Sequence, residues 1–152
     1  MGDFMDFFDL HCDTLTECMD DGDSLLKNER DIDFERGSIF GRWNQVFAVF
    51  VPDSMDDSLV EGYFDSACDF YFDELKKKGD VFPILSSEDV RGHSRGVMLA
   101  MESSRGVGSL ERLEKLYERG LRLITLTWNH KNRAAGGCDE GGGLTDWGRE
   151  LV

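Results

Sequence analysis

The 152-residue chain has few basic side chains, with 17 Lys and Arg against 31 Asp and Glu, which gives a formal net charge of −14. Nucleic acids and anionic membranes select basic surfaces, so the charge argues against both as partners. No apolar run approaches the roughly 18 residues that a membrane helix requires. The first 13 residues contain no Lys or Arg and therefore do not resemble a signal peptide. From these absences we expect a cytoplasmic protein.

Cysteine is also sparse, and the spacing of the cysteines does not indicate a functional site. The four cysteines, Cys12, Cys18, Cys68 and Cys138, lie far apart and form no C-x-x-C pair. Reduced thiols are the expectation for such a pattern. The hydrophobic fraction of 40%, including 11 Phe, is sufficient for a packed core of about one domain.

Apolar runs alternate with helical patterns along the chain. The runs predict four strands, over 4–10, 46–51, 97–101 and 121–127. Helical spacing covers 59–75, where Gly79 follows as a left-handed cap, and a second helix is capped by Ser109 and ends at Gly120. Residues 136–143 include five glycines, which predicts a mobile loop. The alternation predicts an α/β fold with a parallel sheet.

The end of the sequence bears on the size of this fold. Thr145 resembles a helix cap, and the helix it begins has no stop signal before Val152. Four strands are half of the eight that close a (β/α)8 barrel. If the sequence is of the barrel type, we expect residues 1–152 to form a single partial domain containing about the first half of the barrel.

The strongest local motif is Asp9-Leu10-His11-Cys12-Asp13, at the end of the first predicted strand. Side chains alternate along a strand, so Asp9, His11 and Asp13 are expected on one face, and Leu10 and Cys12 beneath helices on the other. An imidazole and a carboxylate two positions apart can bind one divalent cation. The alternative is that Asp13 only caps the helix beginning at Thr14 while His11 is a buried histidine.

Two further segments carry polar residues at strand ends. Glu102 follows the third predicted strand directly, where a buried carboxylate requires a partner or a metal; the alternative is an ordinary solvated residue. Trp128, Asn129 and His130 follow the fourth strand and could line a substrate pocket, or could form a turn with a surface histidine. His93 is expected in a solvated loop.

Taken in order, these segments resemble the membrane dipeptidase (renal dipeptidase) family of metallopeptidases, particularly its bacterial cytoplasmic members. The matching stretches are residues 9–15, 97–103, 120–129 and 143–148. The resemblance implies a (β/α)8 TIM barrel with a two-metal centre, usually of zinc, that hydrolyses dipeptides. It also implies that His11 and Asp13 hold one metal, and that Glu102 bridges both metals and the hydroxide that attacks the substrate carbonyl.

The sequence departs from the family pattern at two places. Some relatives carry a substrate-contacting His directly after Leu-Thr, where this chain has Trp128, with His130 two positions later. The family also places two His ligands of the second metal in the second half of the barrel. This chain has only three His, so the second metal site is incomplete.

Three interpretations remain open at this stage. The first is a metal-dependent dipeptidase whose activity is low in this chain alone. The second is a half-barrel without catalysis, which binds a divalent metal or assembles as a homo-oligomer. The third is a phosphoesterase barrel of the polymerase-and-histidinol-phosphatase type, which opens with a similar D-x-H motif but carries a second His where Asp13 stands here.

Overall fold

The structure is a computed structural model and describes residues 5–152. Of the first predicted strand, residue 4 therefore lies outside the described residues. The elements in chain order are β1 (Asp6–Asp9), α1 (Thr14–Asp21), α2 (Phe34–Gly37), β2 (Arg42–Phe50), α3 (Asp57–Lys77), β3 (Phe82–Pro83), α4 (Ser87–Gly92), β4 (Arg95–Glu102), a 3-10 turn (Ser104–Gly106), α5 (Leu110–Arg119), β5 (Leu121–Thr125) and α6 (Asp146–Leu151).

The strands form one parallel sheet, as the sequence predicts. β1 pairs with β2, and β2 pairs with β4. The other edge of β4 is shared, because the two-residue β3 pairs with its beginning and β5 with its end. The four longer strands therefore lie side by side in chain order, and their carboxyl ends meet at one edge of the sheet.

The two faces of the sheet bury different side chains. Trp43, Phe47 and Val49 of β2 face the helices and belong to the main core, which also contains residues of α1 and α3. Val46 and Ala48 point to the other face and pack with Ala100 of β4. The helix-covered face thus carries the main core, and the opposite face, which would line the inside of a barrel, buries a smaller cluster.

Most of the predicted helix boundaries are confirmed. Ser109 caps α5 by accepting a hydrogen bond from the Arg112 amide, and Thr145 caps α6 by accepting one from the Gly148 amide. The prediction for Gly79 is wrong, because α3 ends at an extended Lys78 instead. Local propensity placed the end of the helix correctly to within two residues but did not fix the geometry of its cap.

The glycine-rich loop has neither helix nor strand, as the sequence predicts, and backbone hydrogen bonds close it. The amide of Gly136 donates to Gly143 O, and that of Gly141 donates to Gly137 O. A Cβ atom built on Gly137 would lie 2.3 Å from Asn129 O. Here glycine allows two backbone segments to approach closely.

All four cysteines are free, and burial raises the pKa of the Cys12 and Cys68 thiols to about 12. In residues 5–152, none of the helices combines the length and apolar character needed to cross a bilayer.

Candidate metal centre

A bulge at the end of β1 sets the direction of His11. Asp9 pairs with Gln45 of β2, whereas the amide of Cys12 donates to Val46 O and its carbonyl accepts from Ala48, which places Cys12 opposite Phe47. Three steps along one strand therefore match two along the other, as one extra residue requires. The alternation expected for the motif is interrupted at this point.

The structure differs from the expected arrangement of the motif at Leu10. Asp9 lines a cavity of about 600 Å³ together with His11 and Asp13, and its carboxylate accepts hydrogen bonds from the Gln45 side chain and from the backbone amide of His11. Leu10 is 66% exposed and does not pack under a helix. Cys12 does pack against the main core, as expected. Asp9 therefore supports the backbone of His11.

His11, Asp13 and Glu102 come together at the carboxyl edge of the sheet, and we refer to them as the His11–Asp13–Glu102 cluster. Nε2 of His11 lies 3.3 Å from Oδ1 of Asp13 and 3.4 Å from Oε2 of Glu102. One ligand atom from each of the three residues lies within 4.8 Å of the others. Sequence analysis placed these residues at strand ends, and the parallel sheet brings them into contact.

The structure does not agree with the two simpler alternatives, in which Asp13 only caps a helix beside a buried His11 and Glu102 is an ordinary solvated residue. Asp13 occupies the N-cap position of α1, yet its side chain makes no capping hydrogen bond. The side chain of Glu102 is only 13% exposed, and that of His11 is 43% exposed, so neither a solvated Glu102 nor a fully buried His11 is observed. Burial raises the pKa of Glu102 above its ordinary value; His11 opposes this shift and Asp13 adds to it.

The donor set matches a divalent transition metal such as zinc. Zinc binds imidazole nitrogen and carboxylate oxygen at about 2.0–2.2 Å, so two ligands of one tetrahedral ion lie roughly 3.4 Å apart. The separations from His11 Nε2 to the two carboxylate oxygens are 3.3 and 3.4 Å. Three protein ligands with a further open position is the usual ligand number of a catalytic zinc site. The three residues therefore fit one such ion.

A cavity of about 380 Å³ adjoins the cluster, and Asp13 and Glu102 form part of its wall. Phe50 and Trp128 form an aromatic wall, with their rings in an edge-to-face arrangement at 5.1 Å. Trp128 is thus in the cavity next to the cluster.

The opposite wall comes from residues that sequence reasoning missed. Thr16, Glu17 and Asp20 project from α1 into this cavity, and Tyr63 of α3 donates a hydrogen bond to Asp20 at 2.9 Å. The spacing Asp13, Thr16, Glu17, Asp20 is i, i+3, i+4, i+7, which places all four on one helix face. This helical spacing could have been recognised in the sequence, because it begins at Asp13, which was already a candidate metal ligand.

The other residues expected near the substrate lie apart from the cluster. His130 lines a neighbouring cavity of about 400 Å³, where Nε2 is 3.9 Å from Asp53 and Nδ1 is 3.8 Å from Glu140. Asn129 contributes its backbone carbonyl to the glycine-rich loop by accepting from the Asp139 amide. His93 is half-buried and stacks on Phe82 at 4.1 Å, so it is not a freely solvated loop residue.

A family model described as membrane dipeptidase (peptidase family M19) matches residues 3–152. No match is found among curated proteins.

Several solved structures share the fold at low sequence identity. The chain is 17% identical to the dipeptidase AC, a metallo peptidase of family M19, with a TM-score of 0.81 over 97% of this chain and 54% of that one. The probable dipeptidase PvdM from Pseudomonas aeruginosa is 15% identical, with a TM-score of 0.73 over 97% and 42% of the two chains. An amidohydrolase from Pseudomonas aeruginosa is 17% identical, with a TM-score of 0.60 over 76% and 35%. The chain spans about half of these structures or less, and its parallel sheet fits a partial barrel.

Proposed function

The chain belongs to the membrane dipeptidase family, peptidase family M19, and on that premise we propose that it forms the N-terminal part of a metal-dependent dipeptidase. Residues 1–152 are, in this proposal, a single partial domain that provides the first half of the barrel. The observation that carries the proposal is the His11–Asp13–Glu102 cluster, in which an imidazole lies within 3.4 Å of two carboxylates at the carboxyl end of a parallel sheet.

In this proposal His11, Asp13 and Glu102 are the protein ligands of a divalent metal, with zinc as the best match to the donor set. A bound metal lowers the pKa of coordinated water and polarises the peptide carbonyl. The burial of Glu102 supports the assignment, because a buried carboxylate beside a second carboxylate gains most from a cation. Glu102 is also the residue through which a second metal would be held.

The cavity beside the cluster is the proposed binding site for the dipeptide. Phe50 and Trp128 provide an apolar wall that can hold a side chain, and Asp13 and Glu102 place the cluster at the same cavity. Such a combination of apolar walls with a few polar groups is typical of small-molecule sites. Asn129 and His130 remain predictions as substrate-binding residues, with His130 in the adjoining cavity.

We expect hydrolysis by this chain alone to be slow. The described residues supply one metal-binding cluster, and it contains one histidine. Removing one oxyanion-stabilising donor from a hydrolase costs about 10²–10³ in rate, and lacking one of two metals should cost at least as much. The same observation favours the second candidate function, a half-barrel that binds metal without catalysis.

The test combines zinc binding with the release of amino acids from alanyl-alanine. The parent chain is compared with Glu102→Gln and with Glu118→Gln, which removes an exposed carboxylate of α5 as a matched control. We expect one zinc per chain, bound at least 10-fold more weakly by Glu102→Gln only. Zinc-dependent turnover that disappears in Glu102→Gln supports the dipeptidase, and binding without turnover supports the second candidate. Zinc affinity that is equal in all three chains would make the ligand assignment wrong.

A further inference from the structure

The residue after Glu102 has an unusual backbone. Ser103 has φ of 81°, and it is the one residue other than glycine with positive φ in residues 5–152. An L-residue in a sparsely populated region of this kind costs of the order of 1–3 kcal/mol, and the surrounding structure must compensate for it. Ser103 is 3% exposed, so the compensation has to come from protein contacts.

Backbone contacts hold the turn on one side. The amide of Ser103 donates to Thr125 O at 3.1 Å, and the amide of Ser104 donates to Leu126 O at 3.1 Å. These bonds continue the pairing of β4 with β5, in which Glu102 lies opposite Thr125. They fix where the chain goes after Glu102, but backbone pairing alone favours an extended Ser103 over one with positive φ.

The side chain of Asn132 supplies the second set of contacts. Its Nδ2 group donates to Leu126 O at 2.7 Å and lies 3.2 Å from Ser103 Oγ and 3.4 Å from Ser104 Oγ. Its Oδ1 atom accepts from the amides of Ala134 and Ala135 at 2.8 and 3.2 Å. One amide group thus ties the turn after β4, the end of β5 and the following loop together.

We propose that Asn132 is a positioning residue for Glu102. It holds Ser103 at positive φ, and this conformation determines the direction in which the strand ends and the Glu102 carboxylate meets His11. None of the side-chain hydrogen bonds of Asn132 goes to a residue of the His11–Asp13–Glu102 cluster. The proposal rests on the proposed function insofar as Glu102 is a metal ligand. The effect of Asn132 on the backbone of Ser103 does not depend on a metal.

The first experiment measures zinc affinity by competition with a chromophoric chelator, together with urea unfolding of the metal-free chain. Residues that orient metal ligands typically contribute about 10–100-fold to affinity, and we expect a loss of that size in Asn132→Ala. The matched control is Asn28→Ala, which also removes side-chain hydrogen bonds to backbone atoms, here those of Ser24, Arg30 and Ile32 in the loop before α2. The control should lose stability and keep its zinc affinity.

A double variant separates positioning from a general structural role. Glycine adopts positive φ without strain, so Ser103→Gly should restore zinc affinity in the Asn132→Ala background to within about threefold of the parent. Asn132 would be merely structural if Asn132→Ala lost stability with unchanged affinity. An unrestored affinity in the double variant would equally overturn the proposal.

A measurement without metal keeps this proposal distinct from the ligand assignment. Hydrogen exchange of the Ser103 and Ser104 amides reports on the turn itself. We expect exchange at least 10-fold faster in Asn132→Ala than in the parent chain, with no such change in Asn28→Ala. Unchanged protection of both amides would show the proposal to be wrong, whatever the chain does with zinc. A parent chain that binds no zinc but loses protection in Asn132→Ala would refute only the ligand assignment.

Discussion

Nε2 of His11 lies 3.4 Å from Oε2 of Glu102, although His11 follows β1 and Glu102 is the last residue of β4, far away in the sequence. The contact exists because β1 and β4 flank β2 in a parallel sheet, so that their carboxyl ends meet on one edge. Asp13 Oδ1 lies 3.3 Å from the same nitrogen. Two carboxylates and one imidazole nitrogen thus converge on one point, where a divalent cation would balance the negative charges of both carboxylates.

The first prediction concerns the only histidine of the cluster. His11→Ala should weaken zinc binding by more than about 100-fold, because a residue that merely supports a ligand typically contributes about 10–100-fold. His93→Ala is the matched control, because His93 stacks on Phe82 and belongs to no metal-binding group within residues 5–152. Isothermal titration of the three chains with zinc is the measurement. Equal losses in both variants would mean that zinc binds elsewhere or without specificity.

Sequence reasoning predicted the α/β class, the four longer strands and the three residues that meet in the cluster. It succeeded because apolar runs fix strands and because parallel strands bring their carboxyl ends together. It failed on the burial of Leu10, since the extra residue after β1 depends on the register of the chain with β2, which no local pattern shows. The positive φ of Ser103 was missed for a related reason: its partners, Thr125 and Asn132, are distant in sequence.

The second prediction concerns the close approach of two backbone segments in the glycine-rich loop. Gly137→Ala would place a Cβ atom 2.3 Å from Asn129 O, whereas a Cβ on Gly143 meets no atom within 4 Å. Overpacking typically costs about 1–3 kcal/mol, which for a chain of this length corresponds to roughly 2–4 °C per kcal/mol. Calorimetry should therefore show a lower Tm for Gly137→Ala and a nearly unchanged one for Gly143→Ala. An unchanged Tm in Gly137→Ala would mean that the hydrogen-bonded loop contributes little to stability.

The third prediction is self-association through the open sheet. β1 and β5 each pair on one side among the described residues, and Phe8 and Leu123 are 40% and 38% exposed on the face that carries Ala48 and Ala100. Unpaired edges with apolar side chains recruit other chains. Sedimentation velocity should show association that rises with concentration and is reduced by Phe8→Lys and Leu123→Lys. Ile39→Lys, at a position that is 68% exposed and follows α2, should have no such effect. A parent chain that stays monomeric at high concentration would contradict the prediction.

The last prediction follows from the raised pKa of Glu102, which burial causes and Asp13 reinforces. A carboxyl group with a raised pKa binds its proton more tightly in the folded chain than in the unfolded one. The free energy of unfolding of the metal-free chain therefore falls as pH rises from the ordinary glutamate pKa, about 4.3, through the raised pKa of the folded state.

Glu102→Gln removes this titration. We expect the metal-free variant to be more stable than the parent at neutral pH, with the difference disappearing near pH 4. Urea unfolding at several pH values is the measurement. With saturating zinc the parent should instead be more stable than Glu102→Gln, because zinc at 100 times its Kd adds about 2.7 kcal/mol to the stability of a chain that binds it. A variant that is less stable than the metal-free parent at neutral pH would show that the ion pair with His11 outweighs the cost of burying the carboxylate.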